Sequence, residues 1–156
     1  GKKLRIIQTG GTAGSFMNTE NLETGLDYDS AKQGASLGSG VILCMDEDNC
    51  PVDCAKTVME FFAHESCGKC TPCREGTRVS VNLLDKISKG QGKEMEIDQL
   101  LMIADGMEQT SFCGLGQSAA IPLRTIVESF RQDFSDHVYK KACNVCKYEV
   151  PKKKKR

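Results

Sequence analysis

Aromatic residues are scarce in this chain of 156 residues, which has 6 Phe, 3 Tyr and no Trp. Together they make up 6% of the sequence. Proteins that bind single-stranded nucleic acid use aromatic side chains as stacking platforms within a basic groove. The shortage of aromatic residues therefore counts against nucleic acid as a partner.

Long apolar segments are also missing. No window approaches the roughly 20 apolar residues that a membrane-spanning helix needs, so we expect no direct membrane insertion and any membrane association to run through partners. The chain does not begin with an apolar signal segment. Its nine cysteines are bunched, several of them in C-x2-C spacing, rather than spread as a disulfide framework. Both features favour the reducing cytoplasm.

The formal net charge of zero hides an uneven distribution. The last five residues, Lys152 to Arg156, are all basic, so the remaining chain carries 16 basic against 21 acidic residues. A basic terminus can bind nucleic acid. Such a basic run is more often simply solvated, and the tail does not decide the function.

The strongest signal is the run ESCGKCTPCREGT, in which Cys67, Cys70 and Cys73 form a C-x2-C-x2-C series, followed about forty residues later by Cys113 in SFCGLG. Two intervening residues in a tight loop let consecutive sulfurs point at neighbouring irons and leave one corner of a cubane cluster for a distant fourth ligand. Zinc sites more often use two separated pairs. The spacing favours an iron–sulfur cluster, with zinc or an unliganded loop as the alternatives.

A second group of candidate ligands lies further along the chain. His137, Cys143 and Cys146 form an H-x5-C-x2-C series. Cys50 completes a set of four if the start of the first helix lies beside the end of the last, and Cys54 is an alternative to Cys50. Thiolate and imidazole ligands suit zinc. Three interpretations stay open: a zinc site, part of another cluster, or unliganded thiols.

The first third of the chain predicts a small β-containing unit. Residues 4–9 form a strand that ends at the glycine-rich turn 10–14, and residues 41–45 form a second, buried strand in which Cys44 is a small buried hydrophobic residue. The residues between them are polar, with only a short helical candidate after Asp29. Two strands do not make an independently stable sheet, so the unit looks incomplete.

Beyond residue 48 the apolar spacing becomes helical and predicts four amphipathic helices. They are expected from 51 to about 63, from beyond 73 to the 90–92 loop, around 97–107, and from about 120 to 137. Short connections between them favour an up-and-down bundle. The expected fold class is α+β, with a partial β unit at 1–48, a mainly α four-helix bundle at 49–138 and a cysteine-containing basic tail at 139–156.

Such a bundle brings the two cysteine loops together. Three cysteines lie between the first and second helices, and Cys113 lies between the third and fourth. The cluster would then sit at the tip of the bundle, close to the surface and to helix N-termini whose free amides can bond to sulfur. That position suits electron transfer.

The two cysteine motifs resemble the cluster-binding end of the NADH-oxidising flavoprotein subunit of respiratory complex I and of related subunits of NAD(P)-linked, electron-bifurcating hydrogenases. The front segment, GKKLRIIQTGGTAGSF through LDYDSAKQGASLGSGVILCMDED, resembles the later part of the β-grasp domain that precedes the bundle in those subunits. The resemblance covers nearly the whole chain.

The resemblance implies one [4Fe–4S] cluster bound by Cys67, Cys70, Cys73 and Cys113. It also implies that electrons pass singly between a flavin reduced by NADH or NADPH and iron–sulfur proteins among the other subunits of a multisubunit oxidoreductase. In the motif, Lys69 and Arg74 either offset the charge of the cluster or are simply solvated.

In that family, FMN and NAD(P) bind to a large upstream domain through a glycine-rich phosphate loop. Residues 10–14 do not match it, because no G-x-G-x-x-G arrangement opens a helix after the strand. The chain is therefore expected to be a piece of a longer oxidoreductase, without NADH chemistry of its own.

Two other functional classes are possible. A zinc-stabilised structural or interaction module would be colourless and hold zinc at both cysteine groups. A thiol–disulfide enzyme would need a βαβ context around its C-x2-C, which the helical pattern does not provide.

Overall fold

The computed structural model describes residues 1–29, 34–141, 143 and 145–146. The predicted helical candidate after Asp29 and the basic tail from residue 147 lie outside the described residues. The strands are β1 (Leu4–Thr9), β2 (Ser15–Met17) and β3 (Ile42–Asp46), and a 3₁₀ helix spans Thr19–Asn21. The helices are α1 (Pro51–Glu65), α2 (Thr71–Ser88), α3 (Glu94–Thr110), α4 (Gly114–Ser118), α5 (Ala120–Ser129) and α6 (Arg131–Tyr139). The predicted α+β class is confirmed.

The sheet is antiparallel, with strand order β2-β1-β3. Ile7 in β1 pairs with Met17 on one side and with Cys44 on the other. Gly10 and Gly11 have φ values of +86° and +82° in the connection from β1 to β2, a conformation that glycine adopts without strain. This segment is thus a turn between strands, as expected, and opens no helix.

The sequence patterns do not predict β2, because a strand of three residues is too short to display alternation. All three of its residues are buried. The Phe16 N–H donates to Thr125 Oγ1 at 2.9 Å, and Ser129 Oγ donates to the Phe16 carbonyl at 3.4 Å. Side chains of α5 therefore bind the backbone at the outer edge of the sheet.

The prediction that β3 is buried is wrong. Val41, Ile42 and Leu43 are about half exposed, and Cys44 is exposed. β3 is an edge strand, and of its apolar residues only Met45 packs against the helical core. The apolar run predicts a strand whose side chains are packed against another segment, but no segment among the described residues packs over Val41, Ile42 and Leu43.

The first three predicted helices are confirmed, although α2 begins two residues before Cys73. Pro51 and Pro72 occupy helix first turns, where proline loses no intrahelical hydrogen bond. The fourth helix is not continuous: at Phe130 the backbone leaves the helical region, with φ −127° and ψ 29°, and separates α5 from α6. Phe130 and Phe134 are both buried at this break.

The helices α1, α2, α3 and α5 pack in a closed ring, each against the next. This ring is the predicted four-helix bundle. Its core also includes Ile6 and Phe16 from the sheet. The boundaries proposed at residues 48 and 138 stay predictions. Among the described helices, none has the combination of length and apolar character that crossing a bilayer requires.

Candidate iron–sulfur and metal centres

The first cysteine loop connects α1 to α2. Ser66 caps the C-terminal end of α1 by donating its N–H to the Phe62 carbonyl at 3.0 Å. Gly68 turns the chain with φ +72°. Cys70 is the residue immediately before α2, and Cys73 lies in its first turn. The change from loop to helix thus places two of the three sulfurs at a helix N-terminus.

The second loop connects α3 to α4 and places Cys113 immediately before α4. Cys67, Cys70, Cys73 and Cys113 line one cavity of about 110 Å³, together with Glu65, Ser66, Lys69 and Leu115. Cys70 and Cys73 are buried, whereas Cys67 and Cys113 are exposed. The structure therefore brings together the four cysteines of the predicted cluster site at one end of the bundle.

Hydrogen-bond donors surround the buried thiols. The backbone N–H of Phe112 is the main group that lowers the pKa of Cys70, followed by the N–H of Cys73. Ser66 Oγ lies 3.3 Å from Cys73 Sγ. Donors that favour a thiolate also favour a metal-bound sulfur, because metal ligation requires the deprotonated form. The donor set and the cavity thus fit a thiolate-ligated cluster.

Arg74 binds the cysteine loop rather than being simply solvated. Its Nη1 donates to the Gly68 carbonyl at 2.8 Å and to the Lys69 carbonyl at 3.5 Å, and its Nη2 donates to Thr71 Oγ1 at 3.4 Å. Lys69 is exposed at the cavity. Arg74 therefore stabilises the cysteine loop through these hydrogen bonds, which residue spacing alone could not predict.

The second group of candidate ligands also comes together. One ligand atom from each of Cys50, His137, Cys143 and Cys146 lies within 4.8 Å of the others. His137 Nε2 is 3.5 Å from both the Cys50 and the Cys146 sulfur, and the Cys50 and Cys143 sulfurs are 3.8 Å apart. The break at Phe130 turns α6 so that its last turn meets the start of α1.

The ring of His137 is oriented by the backbone. Its Nδ1 lies 2.7 Å from the Asp133 carbonyl, which can only accept, so Nδ1 carries a proton. Nε2 is left facing the sulfurs. Burial lowers the pKa of His137, but the hydrogen bonds with Cys50 and Asp133 outweigh it and raise the pKa. A ring whose Nδ1–H donates to a backbone carbonyl while Nε2 faces the other candidate ligands is the orientation that metal-binding histidines usually show.

The two most buried thiols of this group perturb each other. The neighbouring Cys146 is the main cause that lowers the pKa of Cys50, and Cys50 is the main cause that raises the pKa of Cys146. Two thiolates side by side would repel each other. A bound cation would allow both to ionise.

Asp53 is a neighbour of this group that the sequence patterns did not indicate. Its Oδ2 accepts a hydrogen bond from the Cys146 thiol at 3.1 Å, and its buried Oδ1 has no partner among the described residues. An acidic residue in the first turn of a helix normally indicates only favourable interaction with the helix dipole.

Cys54, the alternative to Cys50, lies apart from the other candidate ligands. Its thiol donates to Met45 Sδ at 3.6 Å, and burial raises its pKa to about 11.

Residues 53–137, more than half of the chain, match the family model described as the NADH-ubiquinone oxidoreductase-F iron-sulfur binding region. The chain belongs to this family. The matched region contains the four cysteines of the first site, and Cys50, Cys143 and Cys146 lie outside it. The resemblance is confirmed, and the [4Fe–4S] cluster is the cofactor of the family.

Individual relatives agree with this family assignment. The chain is 39% identical over 144 residues to an F-type NADH-quinone oxidoreductase subunit of Rhizobium meliloti, covering 92% of this chain and 34% of the relative. It is 38% identical over 149 residues to the NADP-reducing hydrogenase subunit HndC of Solidesulfovibrio fructosivorans, covering 94% of this chain and 30% of that relative. The chain spans about a third of the length of these relatives.

A solved structure is similar as well. The crystal structure of an NAD+-reducing [NiFe]-hydrogenase in the H2-reduced state superposes with a TM-score of 0.79 at 30% identity. The match covers 88% of this chain and 24% of the hydrogenase chain. The sheet and helices described above therefore occur together within a much longer family member.

Proposed function

We propose that the chain is an electron-transfer module in which Cys67, Cys70, Cys73 and Cys113 bind one [4Fe–4S] cluster. The single observation that carries this proposal is that all four thiols line the same cavity at one end of the bundle. When bound, such a cluster accepts and donates single electrons.

The surroundings of the cysteines support this role. Cys70 and Cys73 lie on the buried side of the site, close to backbone N–H groups and to the hydroxyl of Ser66. The exposed pair, Cys67 and Cys113, faces solvent. An electron carrier needs one side shielded from water and one side that partners can approach, and this division provides both.

The names of the relatives suggest the wider setting. We propose that the module relays electrons between a flavin reduced by NADH or NADPH and downstream iron–sulfur centres in other subunits of a cytoplasmic multisubunit oxidoreductase. FMN and NAD(P) would then bind to parts of the parent subunit other than this chain. The partners would be protein subunits, not nucleic acid.

Anaerobic reconstitution with iron and sulfide tests the cluster. The wild-type chain should bind about four irons and four sulfides, with broad visible absorption that dithionite bleaches. C113A should fail to assemble the same full-strength cluster, because it loses one of the four thiolates. C44A is the matched control, since Cys44 is exposed on β3 and lines neither the cluster cavity nor the second group.

Two outcomes would contradict the proposal. A colourless wild-type protein with zinc at both cysteine groups would identify a zinc-stabilised structural or interaction module instead. A full-strength cluster in C113A would show that Cys113 is not the fourth ligand.

We further propose that Cys50, His137, Cys143 and Cys146 bind zinc. Three thiolates and one imidazole are a common ligand set for a structural zinc site, and the four ligand atoms are already within 4.8 Å of one another. Elemental analysis should find about one zinc per chain in wild type and C44A, and none in C143S. Iron and additional sulfide at this group would indicate a second cluster, and wild-type protein without metal there would indicate free thiols.

A further inference from the structure

We propose that Ser66 raises the reduction potential of the cluster by donating a hydrogen bond from its hydroxyl to the sulfur of Cys73. This inference rests on the function proposed above, because it requires Cys73 to be a cluster ligand. Ser66 acts through Cys73 and is therefore a positioning residue, not a fifth ligand.

The position of Ser66 is fixed by the backbone. As the C-terminal cap of α1 it donates its own N–H to the Phe62 carbonyl at 3.0 Å. Its side chain lines the cluster cavity, and its Oγ lies 3.3 Å from Cys73 Sγ. The hydroxyl thus approaches the ligand sulfur from a helix end that is anchored independently of the cluster.

The direction of the hydrogen bond follows from two facts. A ligating cysteine is a thiolate and has no proton to donate, so the hydroxyl must be the donor. The N–H of Gly68 donates to Ser66 Oγ at 3.3 Å and occupies one of its lone pairs. Gly68 reaches this position with φ +72°, which a residue with a side chain rarely adopts. The loop therefore leaves the hydroxyl proton free for Cys73.

The effect on the potential follows from charge. Reduction adds one negative charge to the cluster and its thiolates, and a donor to sulfur stabilises the more negative form. Cys73 is only 5% exposed, so water competes weakly and the hydrogen bond is stronger than it would be at the surface. Removing the hydroxyl should make the cluster harder to reduce.

The test compares S66A and S66T with wild type and with S80A, all reconstituted anaerobically in the full chain. S80A is the matched control because Ser80 is buried on α2, about two turns from Cys73. Redox titrations followed by visible absorption and electron paramagnetic resonance give the midpoint potential. Iron and sulfide content confirms that each variant holds the same cluster.

At a fixed potential near the midpoint, we expect the ratio of oxidised to reduced cluster in S66A to rise about 2.3-fold, which is the factor that corresponds to the low end of the contribution of one hydrogen bond. That factor is about 21 mV toward more negative potential, since tenfold is 59 mV for a one-electron couple. The midpoint potential of S66T, which keeps a hydroxyl, should lie close to that of wild type. The midpoint potential of S80A should equal that of wild type.

An unchanged midpoint in S66A, with a complete cluster, would overturn the role of Ser66 and leave the proposed function intact. Loss of the cluster in S66A but not in S66T would also overturn it, since the hydroxyl would then serve assembly rather than potential. Absence of a cluster from wild type would instead overturn the proposed function itself.

Discussion

Arg74 illustrates how a side chain that is not a ligand can hold a ligand loop. Its guanidinium donates to two loop carbonyls and to the hydroxyl of Thr71. We expect R74A to keep the bundle but to lose the cluster about fivefold faster under an iron chelator, which corresponds to about 1 kcal/mol for a partly exposed set of hydrogen bonds. The decay of visible absorption measures the rate.

Two further variants separate geometry from charge at this position. R74K keeps the charge but lacks the planar fork that reaches several acceptors, so it should behave like R74A. R78A, an exposed change on the same helix, should behave like wild type. A cluster that is as durable in R74K as in wild type would mean that Arg74 acts by charge alone.

At the scale of residues, the candidate ligands could be predicted but most of their partners could not. Cysteine spacing is chemically specific, so it indicates the first set and the series from His137 to Cys146, whereas Cys50 is included only if the first helix begins beside the end of the last. Ser66 and Asp53 belong to common helix-terminal residue types, and their contacts with Cys73 and Cys146 depend on how each loop turns. Only coordinates show those contacts.

Among the elements, the short helix α4 packs closely against Cys73 at Gly116. A Cβ added at Gly116 would lie 2.9 Å from Cys73 Cβ and 2.5 Å from Ser111 Oγ. G116A should therefore displace α4 from α2, destabilise the protein by about 1–3 kcal/mol and reduce cluster content. Thermal unfolding and iron analysis on the same samples measure both effects.

Gly106 in α3 provides the matched comparison. A Cβ at this position would meet nothing within 4 Å, so G106A should stabilise the helix by about 0.5–1 kcal/mol and leave the cluster unchanged. If G116A were as stable and as rich in iron as G106A, the close contact between α4 and the cluster loop would not be important for the site.

Helical periodicity predicted α1, α2 and α3 because each is long enough to repeat its apolar face several times. It did not predict the break at Phe130, since Phe130 and Phe134 keep the same spacing whether or not the helix is continuous. β2 was missed because three residues do not establish a period. The break matters for the site, because α6 would otherwise carry His137 in a different direction.

Over the whole molecule, the second group of ligands joins distant parts of the chain. Cys50 and Cys143 are 93 positions apart, yet they meet where α1 begins and α6 has ended. The apolar run of β3 is exposed in the described residues, which sequence could not foresee because exposure depends on neighbouring segments. The four cysteines of the proposed cluster site lie at one end of the bundle, and the second group of candidate ligands lies where the last helix meets the first.

Because the second group closes so long a loop, zinc binding there should stabilise the fold. Zinc at a hundredfold excess over its dissociation constant contributes about 3 kcal/mol to the free energy of unfolding, which raises Tm by roughly 6–12 °C in a chain of this size. Protein reconstituted with iron and sulfide, with and without zinc, should show this difference in wild type and in C44S. C143S should unfold at the lower temperature in both preparations, with its cluster absorption unchanged. Equal Tm values for zinc-loaded and zinc-free wild type would mean that this group does not fasten α6 to α1.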